Sequence, residues 1–255
     1  MTASTAINAH PARYSAEEWA LRVDLAAAYR VIAHLGWDDQ LATHISVRLP
    51  GPEHHFLINP LGLLFEEITA SCLLKVDLDG NLLEPSENIV NRAGFIVHSS
   101  VHLAAPQAMC AVHLHTVAGT AVSIQKDGLL PLSPSAMILH GKIGYHDFEG
   151  VTVRDDERAR LGADLSDNWA LILRNHGTLT VGVSIAEAMQ RMYLLERACQ
   201  MQIAAQSAGG PLIIPDRAIT DEVKEQRKQV STRSADIQWA ALRRKMDRVS
   251  PGYDA

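Results

Sequence analysis

The chain has 255 residues and only three cysteines, Cys72, Cys110 and Cys199. They are odd in number, far apart and set in apolar surroundings. No disulfide framework or CxxC motif can be built from them, so they read as buried free thiols. A reducing compartment fits such a set. Clustered positive charge is also missing. Lys and Arg number 23 against 29 Asp and Glu, a formal net charge of −6. The nearest thing to a basic run, Arg243-Arg244-Lys245, falls in a helical pattern and reads as a solvated face. Neutralising phosphates needs clustered Lys and Arg, so a nucleic-acid partner is excluded as an expectation. No apolar run approaches the length of a membrane span. The first 14 residues are polar and small, without the basic-then-apolar order of a leader. A cytoplasmic protein with no membrane partner is the resulting expectation.

What is present is ordinary for a folded domain: 47% hydrophobic and 20% charged residues, enough for one sizeable core. Residues 1–14 read as a flexible arm. Ser15 and Glu18 read as a capping box opening a helix that ends at Gly36. Strand-like pieces follow at 45–49, 55–58 and 73–78. The last runs into Asp79-Gly80, a tight-turn signal, with 81–83 as the return strand. A helix is expected over 90–104, a buried strand over 108–115, a helix-permissive stretch over 116–125 and a loop over 126–134. A further loop is expected over 143–148, a polar helix over 155–167, and short strands over 169–173 and 179–181. Ser184 and Glu187 form a second capping box, opening a helix to about 207. Helical patches at 219–231 and 235–247 end the chain. The alternation argues for one α/β domain over 15–210, with 211–255 a helical tail packing on it or on a neighbouring subunit. Trp239, Arg243, Arg244 and Tyr253 are candidate lid or interface residues of that tail by residue type.

Histidine is abundant, twelve in all. His113 and His115 end the 108–115 strand pattern. Side chains two apart on a strand point to one face, so two imidazoles can converge on one ion. Two ordinary histidines at a strand end is the competing reading. His176, in Asn175-His176-Gly177 after an apolar strand, supplies a third ligand. Three histidines leave an open position, the pattern of a catalytic zinc site; manganese or iron is also compatible. His98 and His102, at i and i+4, share a helix face and read as pocket-wall or core residues.

These pieces together resemble the class II aldolase/adducin superfamily. The resemblance rests on Ala111-Val112-His113-Leu114-His115, Asn175-His176-Gly177, Thr43-His44-Ile45-Ser46-Val47-Arg48, Asn59-Pro60-Leu61-Gly62 and Leu74-Lys75-Val76-Asp77-Leu78-Asp79-Gly80, in order over roughly residues 16–208. It implies a three-layer α/β/α fold around a mixed, largely antiparallel sheet. It also implies metal ligands His113, His115 and His176, a small-molecule substrate, and a homotetramer with sites at subunit interfaces. Sugar-phosphate aldolases of the family carry Pro-Ser-Ser-Glu, whose glutamate is the acid/base, 19 residues before the first metal histidine. That position is Gly94 here, inside Asn91-Arg92-Ala93-Gly94-Phe95. Glu87 lies seven residues too early, about 10 Å of helix, and reads as a surface residue. The phosphate loops have changed as well, to Thr43-His44-Ile45-Ser46 and Asn59-Pro60-Leu61-Gly62. This is the pattern of the adducin-like branch.

His44, Asn59, Gly62, Gly94 and His98 are therefore the expected substrate-binding positions, for a substrate without phosphate. Tyr145 and His146 are the candidate catalytic residues: the resemblance places a proton-donating tyrosine near 145, and an imidazole beside it can act as acid or base. An interface tyrosine and a solvent-facing histidine are the alternatives. Three functions stay open: a metal-dependent carbon–carbon lyase acting by retro-aldol cleavage or decarboxylation, a non-catalytic adducin-like oligomerisation module, and a non-haem iron oxygenase using the same histidines.

Overall fold

The computed structural model describes residues 13–150, 156–227 and 232–255. The arm expected over 1–14 lies outside these residues up to position 12, as do the start of the expected 155–167 helix and the last residues of the 219–231 patch. Tyr14, at the end of the expected arm, is buried and stacks on Trp19 at 5.6 Å.

Helix α1 (Ala16–Leu35) starts where Ser15 Oγ accepts from the Glu18 N–H at 3.1 Å and stops at Gly36, φ 66°. The reciprocal half of the capping box does not form. The Glu18 carboxylate goes instead to Arg22 at 2.8 Å and Lys75 at 2.9 Å, because Arg22 is fully buried and needs a counter-charge. Strands β1 (His44–Arg48), β2 (Phe56–Ile58), β3 (Pro60–Leu61), β4 (Leu74–Val76) and β5 (Ile89–Val90) follow. The return strand expected over 81–83 is reduced to a single bridge, Val76 to Leu82. The Asp77 carboxylate accepts from the Asp79 and Asn81 N–H groups at 2.9 Å, satisfying the turn without a ladder.

Next come α2 (Arg92–Ala104), β6 (Cys110–Leu114), α3 (Val117–Ile124), α4 (Pro134–Leu139), β7 (Ile143–His146), α5 (Glu157–Leu165), β8 (Ala170–Leu173) and β9 (Gly177–Gly182). Long α6 (Ile185–Ser207), α7 (Arg217–Arg227) and α8 (Thr232–Val249) complete the chain. The expected loop over 143–148 is in fact a strand for its first four residues. β7 pairs in parallel with β8, so its ladder is supplied by tertiary structure and not by its own alternation.

Seven strands form one sheet in the order β4-β2-β1-β6-β9-β8-β7, antiparallel except for β7–β8. Its two faces are distinct. Ile45, Val47, Val112 and Leu114 turn to Leu25 and Ile32 of α1, Met189 and Met192 of α6, and Trp239 and Met246 of α8. Ala111, Leu171, Leu179 and Val181 turn to Val97 and Val101 of α2 and to Leu161 and Leu165 of α5. The result is the three-layer α/β/α arrangement with a largely antiparallel sheet. No helix among the described residues is long and apolar enough to cross a membrane.

The last segment is part of this core. Trp239 and Tyr253 are buried in the larger cluster, and Arg243 pairs with Asp24 at 2.6 Å. The Tyr253 carbonyl accepts from the Ala70 N–H at 2.8 Å. Within the chain, Trp239, Arg243 and Tyr253 are committed to packing, and Arg244 is exposed.

Candidate metal centre and its pocket

Period-two alternation builds the site. On β6, Val112 and Leu114 go to the large apolar core, so His113 and, one residue past the strand, His115 share the opposite face. β9 begins beside them, pairing Leu114 with Thr178. This brings in His176 from the preceding turn, where Asn175 has φ 56°. Gly177 is required there: a Cβ would lie 2.5 Å from the Leu114 carbonyl oxygen and 2.9 Å from the His115 ring.

The three rings lie 4.7 to 4.9 Å apart, centroid to centroid, and one nitrogen from each falls within 4.8 Å of the others. His113 Nδ1–H donates to the Thr178 carbonyl at 3.0 Å, and His115 Nδ1–H to the Asp39 carboxylate at 3.2 Å. In the neutral form each imidazole has one N–H, so both Nε2 atoms then carry lone pairs. These two Nε2 atoms are 2.9 Å apart. Two lone pairs pointed at each other across that gap repel unless a cation joins them, so this donor set fits a divalent metal. The carbonyl and carboxylate behind the rings are the partners metal-binding imidazoles ordinarily have. Burial, with His44, His176 and His115 nearby, holds His113 well below the usual histidine range, and burial with His115 and His146 pushes His176 down to about 4. Both are neutral at pH 7, as ligands must be.

Beside the histidines lies a pocket of about 160 Å³, lined by His44, Ala93, Val97, His113, Phe148 and His176 among others. No Lys or Arg lines it among the described residues. Asn91 Oδ1 accepts from the Ala93 and Gly94 N–H groups, so those helix-end donors are already taken. The described residues therefore bring to this pocket none of the converging donors a phosphate needs.

The expected site residues divide into two sets. His44 lines the pocket, and Gly94 and His98 pack against it from behind: His44 is the register partner of His113, and His98 Nε2 is 3.1 Å from His44 Nδ1. Asn59 is buried elsewhere, hydrogen-bonded through side chain and backbone to the Tyr29 hydroxyl, and Gly62 is exposed with φ 104°. Tyr145 accepts from the Leu129 N–H at 3.1 Å, under the Arg174 guanidinium. His146 is buried between Asp164 at 2.7 Å and Glu157 at 3.5 Å. None of these four lines the pocket of its own chain. Glu87 is exposed. Sequence reasoning missed Asp39, whose only signal was a carboxylate just past the end of a helix, and Phe148, placed by the end of the unforeseen strand β7.

Residues 23–203 match the family profile described as "Class II Aldolase and Adducin N-terminal domain". A Caulobacter vibrioides protein named "Putative aldolase class 2 protein" is 48% identical over 94% of each chain. Alpha-adducin of Rattus norvegicus is 45% identical over 78% of this chain, which corresponds to 27% of that longer protein. The crystal structure of an aldolase II superfamily protein from Pseudomonas syringae superposes with TM-score 0.91 at 47% identity, covering 95% of this chain and 98% of that one. L-fuculose 1-phosphate aldolase from Glaciozyma antarctica superposes with TM-score 0.81 at 29% identity, covering 94% of each.

Proposed function

The chain belongs to the class II aldolase/adducin family, and from that premise we propose that it is a metal-dependent carbon–carbon lyase acting on a small, non-phosphorylated hydroxy-carbonyl or hydroxy-acid compound. The observation that carries this reading is the approach of the Nε2 atoms of His113 and His115 to 2.9 Å, at the edge of a pocket without cationic side chains among the described residues. His113, His115 and His176 would hold the ion, zinc before manganese or iron. Bound there, a divalent cation supplies Lewis acidity toward a carbonyl or hydroxyl oxygen.

The protein's own groups do the rest. Asp39 and the Thr178 carbonyl fix which nitrogen His115 and His113 offer. Ala93, Val97 and Phe148 give one wall of the pocket an apolar lining. A pocket of about 160 Å³ suits a compound of a few carbon atoms. With glycine at position 94 no carboxylate stands where the sugar-phosphate aldolases keep theirs. Decarboxylation, which needs no base to deprotonate a hydroxyl, is therefore as open to this site as retro-aldol cleavage. Tyr145 lies outside the pocket wall of its own chain, so a role for it is proposed toward the pocket of a neighbouring copy in a homotetramer; His146, buried beside Asp164 and Glu157, is proposed only as a positioning residue behind His176 of its own chain. No direct contact with substrate in this pocket is proposed for Asn59 and Gly62, which lie away from it.

The test is a screen of the zinc-, manganese- and iron(II)-loaded protein for aldehyde or carbon dioxide release. Phosphorylated ketoses would be set against non-phosphorylated hydroxy acids and hydroxy-carbonyl compounds. Turnover confined to the non-phosphorylated set, and abolished in His115→Ala, is the expected result. Equal or better turnover of phosphorylated ketoses would overturn the substrate class. A metal-loaded protein inert toward every compound would favour an adducin-like assembly role.

A further inference from the structure

The face of β1 opposite the large core carries His44, Ser46 and Arg48, and the facing side of α2 carries His98 and His102, one turn apart. Among them runs a buried line of hydrogen bonds. His44 Nδ1 is 3.1 Å from His98 Nε2, His98 Nδ1 is 2.5 Å from Ser46 Oγ, Ser46 Oγ is 2.7 Å from His102 Nε2, and His102 Nδ1 is 3.3 Å from the Ala108 carbonyl oxygen. Every side chain in the line is buried.

The direction of each bond follows from the last one. A carbonyl only accepts, so His102 Nδ1 carries the hydrogen. A neutral His102 then has a lone pair at Nε2, and Ser46 must donate to it. The Ser46 oxygen in turn accepts from His98 Nδ1–H, which leaves a lone pair at His98 Nε2. His44 must donate to that lone pair through Nδ1–H. Its other nitrogen, Nε2, is then unprotonated. The imidazoles are neutral because burial opposes their charged forms: His98 and His102 are pushed down to about 3, with Arg48 adding to the effect on His102.

Position 94 tells where that nitrogen is. A Cβ built there would lie 2.6 Å from Cδ2 and 2.9 Å from Nε2 of the His44 ring. The imidazole fills the volume any side chain at 94 would need. His44 is also a wall of the pocket, and its Nε2 has no hydrogen-bond partner among the described residues.

We propose that His44 stands in for the side chain absent at position 94, and that the line through His98, Ser46 and His102 presents its Nε2 to the pocket as an obligate acceptor, so that the substrate meets it with a hydroxyl. A carboxylate, carbonyl or phosphate oxygen there would set lone pair against lone pair, leaving a buried acceptor unsatisfied. The substrate class narrows to compounds with a hydroxyl beside the group the metal holds. His98, Ser46 and His102 are positioning residues and touch no substrate. The inference rests on the reading of the pocket as the reaction site.

The test is the tautomeric state of the three imidazoles in zinc-loaded, ¹⁵N-histidine-labelled protein at pH 7. Two-bond ¹H–¹⁵N correlations would be assigned by the signals lost in His44→Gln, His98→Gln and His102→Gln. The result expected is Nδ1–H at all three positions, with His44 Nε2 unprotonated. Ser46→Ala should then cost His44 and His98 their Nδ1–H form while His102, held by Ala108, keeps it; Ser46→Thr should restore it. A wild-type His44 protonated at Nε2 overturns the proposal, as does a folded Ser46→Ala protein whose His44 tautomer is unchanged. If Ser46→Ala does not fold, the wild-type tautomers decide alone. Zinc content of the same sample separates the two claims: bound zinc with the wrong tautomer sinks only this inference, and no zinc sinks the reading beneath it.

Discussion

The two faces of β1 and β6 carry opposite cargo on the same backbone. Toward α1, α6 and α8 they present Ile45, Val47, Val112 and Leu114, all but dry. Toward α2 they present His44, Ser46 and His113, equally buried but each engaged in hydrogen bonds, the first two to His98 and the last to the Thr178 carbonyl. One face stabilises the fold by removing apolar area from water. The other keeps ionisable groups neutral, oriented and close to a pocket. Burial is the same on both; the chemistry of the buried groups decides which face can react.

The largest effect that would break this division is on the apolar side. Leu114→Ala should cost about 2–5 kcal/mol in denaturant unfolding, yet the folded fraction should keep its full metal content. A folded variant that loses the ion would show that the faces are not separable. On the other side, Asp39→Ala should weaken metal binding by roughly 10–100-fold, read by competition with a chelator. Stability without metal should change little, since Asp39 is 54% exposed at its side chain. A large stability loss would recast Asp39 as a scaffold residue.

Gly94→Ala should cost about 1–3 kcal/mol, because its Cβ collides with the His44 ring. In a double-mutant cycle most of that cost should vanish in a His44→Ala background. Additive effects would mean that position 94 and His44 do not compete for one volume. Gly36→Ala, where φ is 66° and nothing lies within 4 Å of the new Cβ, should cost only the left-handed backbone penalty, about 1–2 kcal/mol, and leave metal binding untouched.

Acid should also separate the faces. His98 and His102 titrate near 3 in the folded chain against 6.5 ordinarily, so the unfolded chain binds more protons below pH 6.5. Their contribution is fully present above about 6.5 and is lost as pH falls toward 3. Denaturant midpoints measured over that window should drop with pH, and His102→Phe should flatten the slope. An unchanged slope would mean that His102 is not neutral and buried in solution.

Much of this was legible in the sequence where local signals suffice. Ser15, Gly36 and Ser184 marked helix ends by their capping chemistry. The two-residue spacing of His113 and His115 at the end of an apolar run placed both rings on one face, and Asn175-His176-Gly177 marked a tight turn. What escaped depends on partners far along the chain. β7 contains a glycine and two polar residues, and it is a strand only because β8 pairs with it. Helix α4 has six residues, too few for a periodicity, although Ser133-Pro134 is a helix start. The meeting of His44 with Gly94, fifty residues apart, and the use of Ser46 as a link between two histidines of α2, are products of packing. That position 94 is a glycine could be read from the sequence; that the His44 ring fills the volume beside it could not.

The most direct test of the metal centre is elemental analysis of the purified wild type and of His113→Ala, each checked for folding by circular dichroism. The account predicts about one divalent ion per wild-type chain and none in the folded variant. A wild type that stays metal-free after incubation with zinc, manganese and iron(II), or a variant that holds the ion as tightly, would contradict it.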